Sequence, residues 1–426
     1  MIVLTGKKIC VIGCTERGIR AAIVLAACGH RVTLVDESRG TISRIARGEL
    51  PFYDRDVAAE LPKALLRRRI SLSDSISRQV KNSDHVFLAS ETKASGSSQV
   101  SLTRLRRDIE RVGASLGKGS TVVLLSEVPP GSTEDIVHGT VGRSSGLRRS
   151  QGFSLAACRM MPGRIVIGAS SRRIGEELAS LFDSSKLEKA VVRIRSAEAL
   201  DYLDGCARAS EIGFSNELAN LCEKLGVDAH EVLPLVGIDA GNIGLGYGNP
   251  GISSDVSSTL RIGEKLGVRL DILRAVEKAN RRQAMRAVEL MRDALGSLKG
   301  RRIALLGLAT DSGAISVDGS RAFDIAVSLL AEGAKVVGYD RLAMSEFIKV
   351  LPGISLAASA REALLDADGC IIQADDPEFR RLTKQDFELM RNKIVIDGRR
   401  ILSAAKMEKF GVSYRAIGLG KDSRGA

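Results

Sequence analysis

Lys8-Ile9-Cys10-Val11-Ile12-Gly13-Cys14-Thr15-Glu16-Arg17-Gly18 is the stretch that decides the fold. Its first half reads as a buried strand that ends at a glycine. Ile19 to Cys28 follows with small and apolar residues on one packing face, as a helix requires. Gly29-His30-Arg31-Val32-Thr33-Leu34-Val35-Asp36 then supplies a turn and a second strand closing on an acid. Strand, glycine turn, helix, strand and terminal Asp make a βαβ unit. Further strands are predicted at His85–Ala89, Thr121–Leu125 and Arg164–Gly168, which extends a doubly wound α/β domain over residues 1–195.

Downstream the pattern changes and then restarts. Residues 196–297 hold no convincing strand. Ala197 to Leu225 has helical spacing, a glycine-rich interruption falls at 241–251, and Val256 to Leu295 predicts two more helices. The second, Asp271 to Leu295, stops at Gly296 as a C-cap. Gly300–Gly307 is again a strand to a glycine, Ser320–Glu332 a helix, and Gly333–Asp340 a strand ending in Asp. A second Rossmann-like domain is therefore expected over 298–420, with a short tail at 421–426. The fold class is α/β: two Rossmann-like doubly wound domains joined by a central all-helical domain with a long connecting helix.

Composition narrows the function classes. Of 426 residues, 44% are hydrophobic and 27% charged, ordinary for a globular chain of two or three domains. No apolar run approaches the roughly 20 residues of a membrane span. The N-terminus is charged too early for a signal peptide, so a cytoplasmic protein is expected. The seven cysteines (10, 14, 28, 158, 206, 222, 370) and the histidines at 30, 85, 138 and 230 are scattered, so no metal site is expected. The net charge of +12 suits an anionic partner, but with 4% aromatics and no Trp, nucleic acid is a poor candidate.

Beyond the pattern, the chain carries several landmarks in order. They are Arg47-Gly48-Glu49-Leu50-Pro51-Phe52-Tyr53, Ser126-Glu127-Val128-Pro129-Pro130-Gly131-Ser132-Thr133, Phe214-Ser215-Asn216-Glu217, Gly246-Tyr247-Gly248-Asn249-Pro250-Gly251-Ile252-Ser253-Ser254-Asp255, Ala374–Phe379 and Asp397-Gly398-Arg399. Together they resemble the nucleotide-sugar (UDP-glucose/GDP-mannose) dehydrogenases nearly end to end. That family oxidises a sugar alcohol twice with NAD, through a thioester on the cysteine of a GYGGSCFPKD segment.

The resemblance assigns positions, and many are substituted. A dinucleotide turn needs G-x-G-x-x-G so that backbone can approach the pyrophosphate at a helix N-terminus. Gly13 and Gly18 are present, but Thr15 adds a side chain and Glu16 a negative charge, with Arg17 in partial compensation. Asp36 stands where a carboxylate would take the ribose hydroxyls of NAD, and Thr92 and Ser126 match further cofactor positions. Glu91 and Lys93 replace prolines beside Thr92. A weakened NAD site is expected. The position of the family's threonine that holds water is Glu127. The lysine and asparagine that steady an oxyanion correspond to Asp201 and Gly205, and a carboxylate at Asp201 would repel that oxyanion. The cysteine position is Gly251, and Asp255 is read as a helix N-cap. Phe153–Arg164 reads as a shortened loop lacking the family's acid, with Cys158 the one imaginable substitute nucleophile and Cys206 rotated off the former asparagine. In the third domain Asp311 and Asp318 replace two cations. Tyr247, Gly248 and Arg399 remain as candidate substrate contacts.

Three functions are consistent with this. One is a catalytically silent family member acting as a scaffold or regulatory partner, as a homodimer or a heteromer with a related dehydrogenase through the central helices. Another is a divergent NAD-dependent enzyme with a rebuilt site. The third is an anion-binding protein, which clustering of the arginines at 67–69, 106–107 and 148–149 would favour.

Overall fold

The computed structural model describes residues 6–52, 54–92, 101–147, 152–310 and 313–420, without the Arg55 side chain. The expectations for Tyr53, Lys93, Arg148, Arg149, Asp311 and the 421–426 tail lie outside the described residues. Two compact units divide the chain at residues 203 and 204. Among the described residues no helix is long and apolar enough to cross a membrane, and no group of three or more metal-ligating side chains gathers.

The first unit is built on an eight-stranded sheet, ordered β3-β2-β1-β4-β5-β6-β7-β8. Its strands are β1 (Lys8–Ile12), β2 (Arg31–Val35), β3 (Ile70–Ser73), β4 (His85–Leu88), β5 (Ser120–Leu124), β6 (Phe153–Met161), β7 (Arg164–Ala169) and β8 (Glu188–Val192). All neighbours pair in parallel except β6 and β7, which form an antiparallel pair. Helices cover both faces, so the strands are apolar on both sides. Helices α1 (Glu16–Ala27), α2 (Arg39–Ala46) and α3 (Arg55–Leu66) bury Ile19, Leu25, Ile45 and Leu61 against Ile9, Val11 and Leu34. On the other face, α4 (Ile76–Lys81), α5 (Thr103–Ser115) and α6 (His138–Ser145) bury Val80, Leu105, Ile109 and Val141 against Cys10, Ile12 and Val86. Arg67–Arg69 follow α3 and Arg106–Arg107 ride on α5, so these two basic groups belong to opposite faces of the sheet. A short helix α7 (Arg172–Ser180) leads to β8.

The long helix α8 (Ile194–Leu225) runs from the first unit into the second. There, α9 (Pro250–Leu266), α10 (Asp271–Gln283) and α11 (Met285–Leu295) precede a six-stranded parallel sheet ordered β11-β10-β9-β12-β13-β14. Its strands are β9 (Arg302–Leu306), β10 (Lys335–Tyr339), β11 (Ser355–Leu356), β12 (Gly369–Ile372), β13 (Ile394–Asp397) and β14 (Ser413–Ala416), with α12 (Arg321–Ala331) between β9 and β10. Ala219, Cys222, Ala287 and Met291 of α8 and α11 share one core with Ile303, Leu305 and Ile371 of this sheet.

Three local expectations are corrected. The helix expected over Asp271–Leu295 is two helices, broken at Ala284. Phe153–Met161 is a nine-residue strand and not a loop, because its nearly continuous apolar run pairs with β5 on one side and β7 on the other. Asp255 is not an N-cap. Asn249 caps α9, its side chain accepting from Gly251 N at 2.8 Å, and Asp255 sits in the second turn.

Candidate functional site

In the first unit the candidate cofactor residues gather at the C-terminal ends of β1, β2, β4 and β5, where α/β sheets bind ligands. Gly13 has a φ of +106°, and a Cβ there would overlap the Ala89 carbonyl. A Cβ on Gly18 would overlap the Gly13 carbonyl. Both glycines are therefore required by the turn itself. Thr15 is the N-cap of α1: its hydroxyl accepts from Gly18 N at 3.2 Å and donates to Ala89 O at 2.9 Å. A helix N-terminus binds phosphate through its free N–H groups. Here Thr15 satisfies one of them. Glu16 pairs with Arg20 one helical turn on.

Asp36 is buried at 6% exposure and already has partners. One carboxylate oxygen accepts from Cys14 N at 3.3 Å and from Arg104 Nη2 at 3.0 Å, and the other accepts from Ser38 N at 3.0 Å. Thr92 donates to Glu127 O at 2.7 Å, and Ser126 donates to Ser90 O at 2.8 Å, so both hydroxyls are used within the fold.

A charge cluster lies beside this turn. Asp201 of α8 takes Arg159 Nε on one oxygen at 2.5 Å and Arg17 Nη1 on the other at 2.7 Å. Arg17 also reaches Glu127 at 3.3 Å. The Arg159 side chain is 2% exposed and that of Asp201 7%. Arg159 spends its remaining donors on the carbonyls of Leu124, Cys158 and Ser126. Asp201, expected to repel an oxyanion, carries two guanidinium partners. Arg159 was not a candidate in the sequence, since its partner lies 42 residues away and nothing local signals the pair.

The remaining candidates belong to the second unit. Gly251 is in the first turn of α9, exposed, with its N–H on Asn249. Gly205 lies under Asp255, whose carboxylate fills the space a Cβ would need. Cys206 has its thiol pushed up by burial, and its Sγ lies 4.0 Å from Asp255 O. In the first unit, burial pushes the Cys158 thiol up to about 12.

The Gly246-Tyr247-Gly248 loop is held by packing. Gly246 has φ +80°, and a Cβ there would overlap Asn280 Oδ1. Asn280 accepts from Tyr247 N at 2.8 Å and donates to Tyr247 O at 3.1 Å. Buried Arg321 also donates to Tyr247 O. Gly248 has no room for a side chain, since a Cβ would lie 2.7 Å from Gly319 O. Burial pushes the Tyr247 phenol up to about 12. Arg399, past the end of β13, donates from Nε to Gln373 O at 2.7 Å. Asp318 is exposed, and Ser320 caps α12. Sequence reasoning missed Asn280 and Arg321; both act through loops distant in sequence.

Fold and strand-end geometry define a protein with two Rossmann-type units and a long helix running from one into the other. The comparisons with known proteins narrow this. Residues 7–186, 195–282 and 304–404 match, in order, the NAD-binding, central and UDP-binding domains of the UDP-glucose/GDP-mannose dehydrogenase family. The chain belongs to that family. It is 30% identical to the UDP-glucose 6-dehydrogenase AglM of Haloferax volcanii, over 96% of this chain and 100% of the relative. It is 28% identical to UDP-glucose 6-dehydrogenase TuaD of Bacillus subtilis, over 97% and 93%. A solved UDP-glucose dehydrogenase from Pyrobaculum islandicum superposes with a TM-score of 0.84 at 29% identity, covering 98% of both chains.

Proposed function

We propose that this chain is a nucleotide-sugar dehydrogenase family protein that does not carry out the thiol-dependent double oxidation. It serves instead as a cytoplasmic scaffold or regulatory partner in polysaccharide or glycan-precursor synthesis. Pairing would be with itself or an active relative, through the helices of residues 196–297. The observation that carries this reading is the Arg17–Asp201–Arg159 cluster. By resemblance, position 201 should hold an ammonium that stabilises a developing oxyanion. A carboxylate committed to two guanidinium groups offers no such donor.

Nucleophile chemistry supports the same conclusion. A thiolate at neutral pH is required to trap an aldehyde. Gly251 has no side chain, and burial raises both Cys206 and Cys158 away from the thiolate form. Cofactor binding is also weakened in this proposal. Residues 7–186 have the family's NAD-binding fold, but Thr15 caps α1 where backbone should meet pyrophosphate. Asp36, for its part, is engaged by Arg104.

The test is NADH formation by the full-length protein with NAD and a panel of UDP- and GDP-sugars. The proposal expects none above a protein-free blank. Turnover with any of them would replace it with the divergent-enzyme reading. Gel filtration alone and with an active UDP-glucose dehydrogenase tests the pairing, with co-elution or a self-dimer expected.

A further inference from the structure

At the end of β2 the acid that would accept the ribose hydroxyls of NAD is already engaged, and arginines stand beside it. In a Rossmann unit the acid closing β2 accepts the 2′- and 3′-hydroxyls, whereas a neighbouring arginine accommodates a 2′-phosphate. Asp36 closes β2, and its contact with Cys14 N ties it to the glycine turn, which fixes this as the adenosine-ribose end of the site. Its two oxygens already take Cys14 N, Ser38 N and Arg104.

Arg104 is 39% exposed at the side chain, and besides Asp36 its Nε stands 3.9 Å from buried Asp108. Two more arginines stand at helical spacing on the same face of α5. Arg107 and Arg111 both contact Glu37, the residue after Asp36. Arg39, three residues after Asp36 at the start of α2, is paired with Asp74 at 2.9 Å and is 89% exposed. These pairs, apart from those of Arg104 with buried Asp36 and Asp108, join groups in contact with water. Such pairs are weak and exchange readily for a stronger anion. A phosphate presents a doubly charged, multidentate acceptor to guanidinium groups.

We propose that the strand-end site of the first unit, centred on Arg104, binds a 2′-phosphorylated adenine nucleotide in preference to one with a free 2′-hydroxyl. This rests on the Rossmann reading of residues 7–186 and not on whether the chain oxidises a sugar.

The experiment is isothermal titration calorimetry of the full-length protein with adenosine 2′,5′-bisphosphate, its 3′,5′ isomer and 5′-AMP. The two bisphosphates carry the same charge, so a difference between them reports position. Both lack a pyrophosphate, so crowding at Thr15 affects them alike. The expected result is affinity for the 2′,5′ isomer at least about tenfold above that for the 3′,5′ isomer and 5′-AMP. That gap should close in Arg104→Gln and persist in Arg172→Gln, which alters an exposed pair on α7. Arg104→Lys, which keeps the charge, should retain part of it, and thermal melting of each variant confirms that it is folded. Equal affinity for the two isomers, no binding of either, or a gap unchanged in folded Arg104→Gln would overturn the proposal. Sugar turnover would sink the non-catalytic reading above without altering this comparison.

Discussion

The Arg17–Glu127–Asp201–Arg159 cluster of the first unit and the Gly246–Tyr247–Gly248 loop of the second are held in opposite ways. In the cluster, charge pairing does the holding: Asp201 takes both Arg17 and Arg159, and Arg17 also reaches Glu127. In the loop, packing does the holding: Asn280 and the Gly319 backbone leave no room for a side chain at Gly246 or Gly248, and Asn280 and Arg321 fix the Tyr247 backbone. The difference teaches that a legible motif can record steric need, whereas a charge that reads oddly in the sequence can be balanced by a residue distant in the chain.

Several changes would break or sharpen this contrast. Arg159→Ala should have the largest effect, because it takes the buried partner from buried Asp201 and leaves it to the partly exposed Arg17; removing one partner of a buried pair costs about 3–5 kcal/mol. Chemical denaturation should show it, and Arg159→Met with Asp201→Leu should recover much of the loss. Next, Gly246→Ala combines a left-handed backbone with overlap on Asn280 Oδ1, for roughly 2 kcal/mol or more. Gly251→Cys, by comparison, should change stability by less than about 1 kcal/mol and restore no oxidation. If the two glycine variants melt alike, packing is not what preserves the loop.

A pH effect of intermediate size is expected in the first unit. His85, at the start of β4, is buried with neither ring nitrogen hydrogen-bonded, and burial holds its pKa below the usual histidine range. The folded state therefore binds the proton less readily than the unfolded chain, whose value is near 6.5. Stability should be level above that pH and fall as the pH drops below it. Melting curves of His85→Leu should show a shallower acid decline than those of the parent; His230, also shifted down by burial, accounts for part of what remains. The smallest effect is Arg17→Ala. With Arg17 42% exposed and Asp201 still held by Arg159, the cost should be about 0–1 kcal/mol by denaturation.

Much of the fold was legible because strands and glycine turns leave local traces. Lys8–Gly13 with Arg31–Asp36, and Arg302–Gly307 with Lys335–Asp340, each announce a βαβ unit through hydrophobicity and turn chemistry. The site was less legible because its determinants are pairs. Asp36 and Arg104 are 68 residues apart, Asp201 and Arg159 42, and Tyr247 and Asn280 33. Position by position, Asp201 reads as a charge that would repel an oxyanion, and Phe153–Arg164, whose Phe153–Met161 part is strand β6, as a shortened loop. Arg159, in the middle of that strand, resolves both.

The most direct test of the central claim is NADH production from NAD and UDP-glucose by the full-length protein at high concentration. The account predicts no NADH beyond the protein-free blank. NADH formed in proportion to the protein would contradict it and show that the rebuilt cluster is a working site.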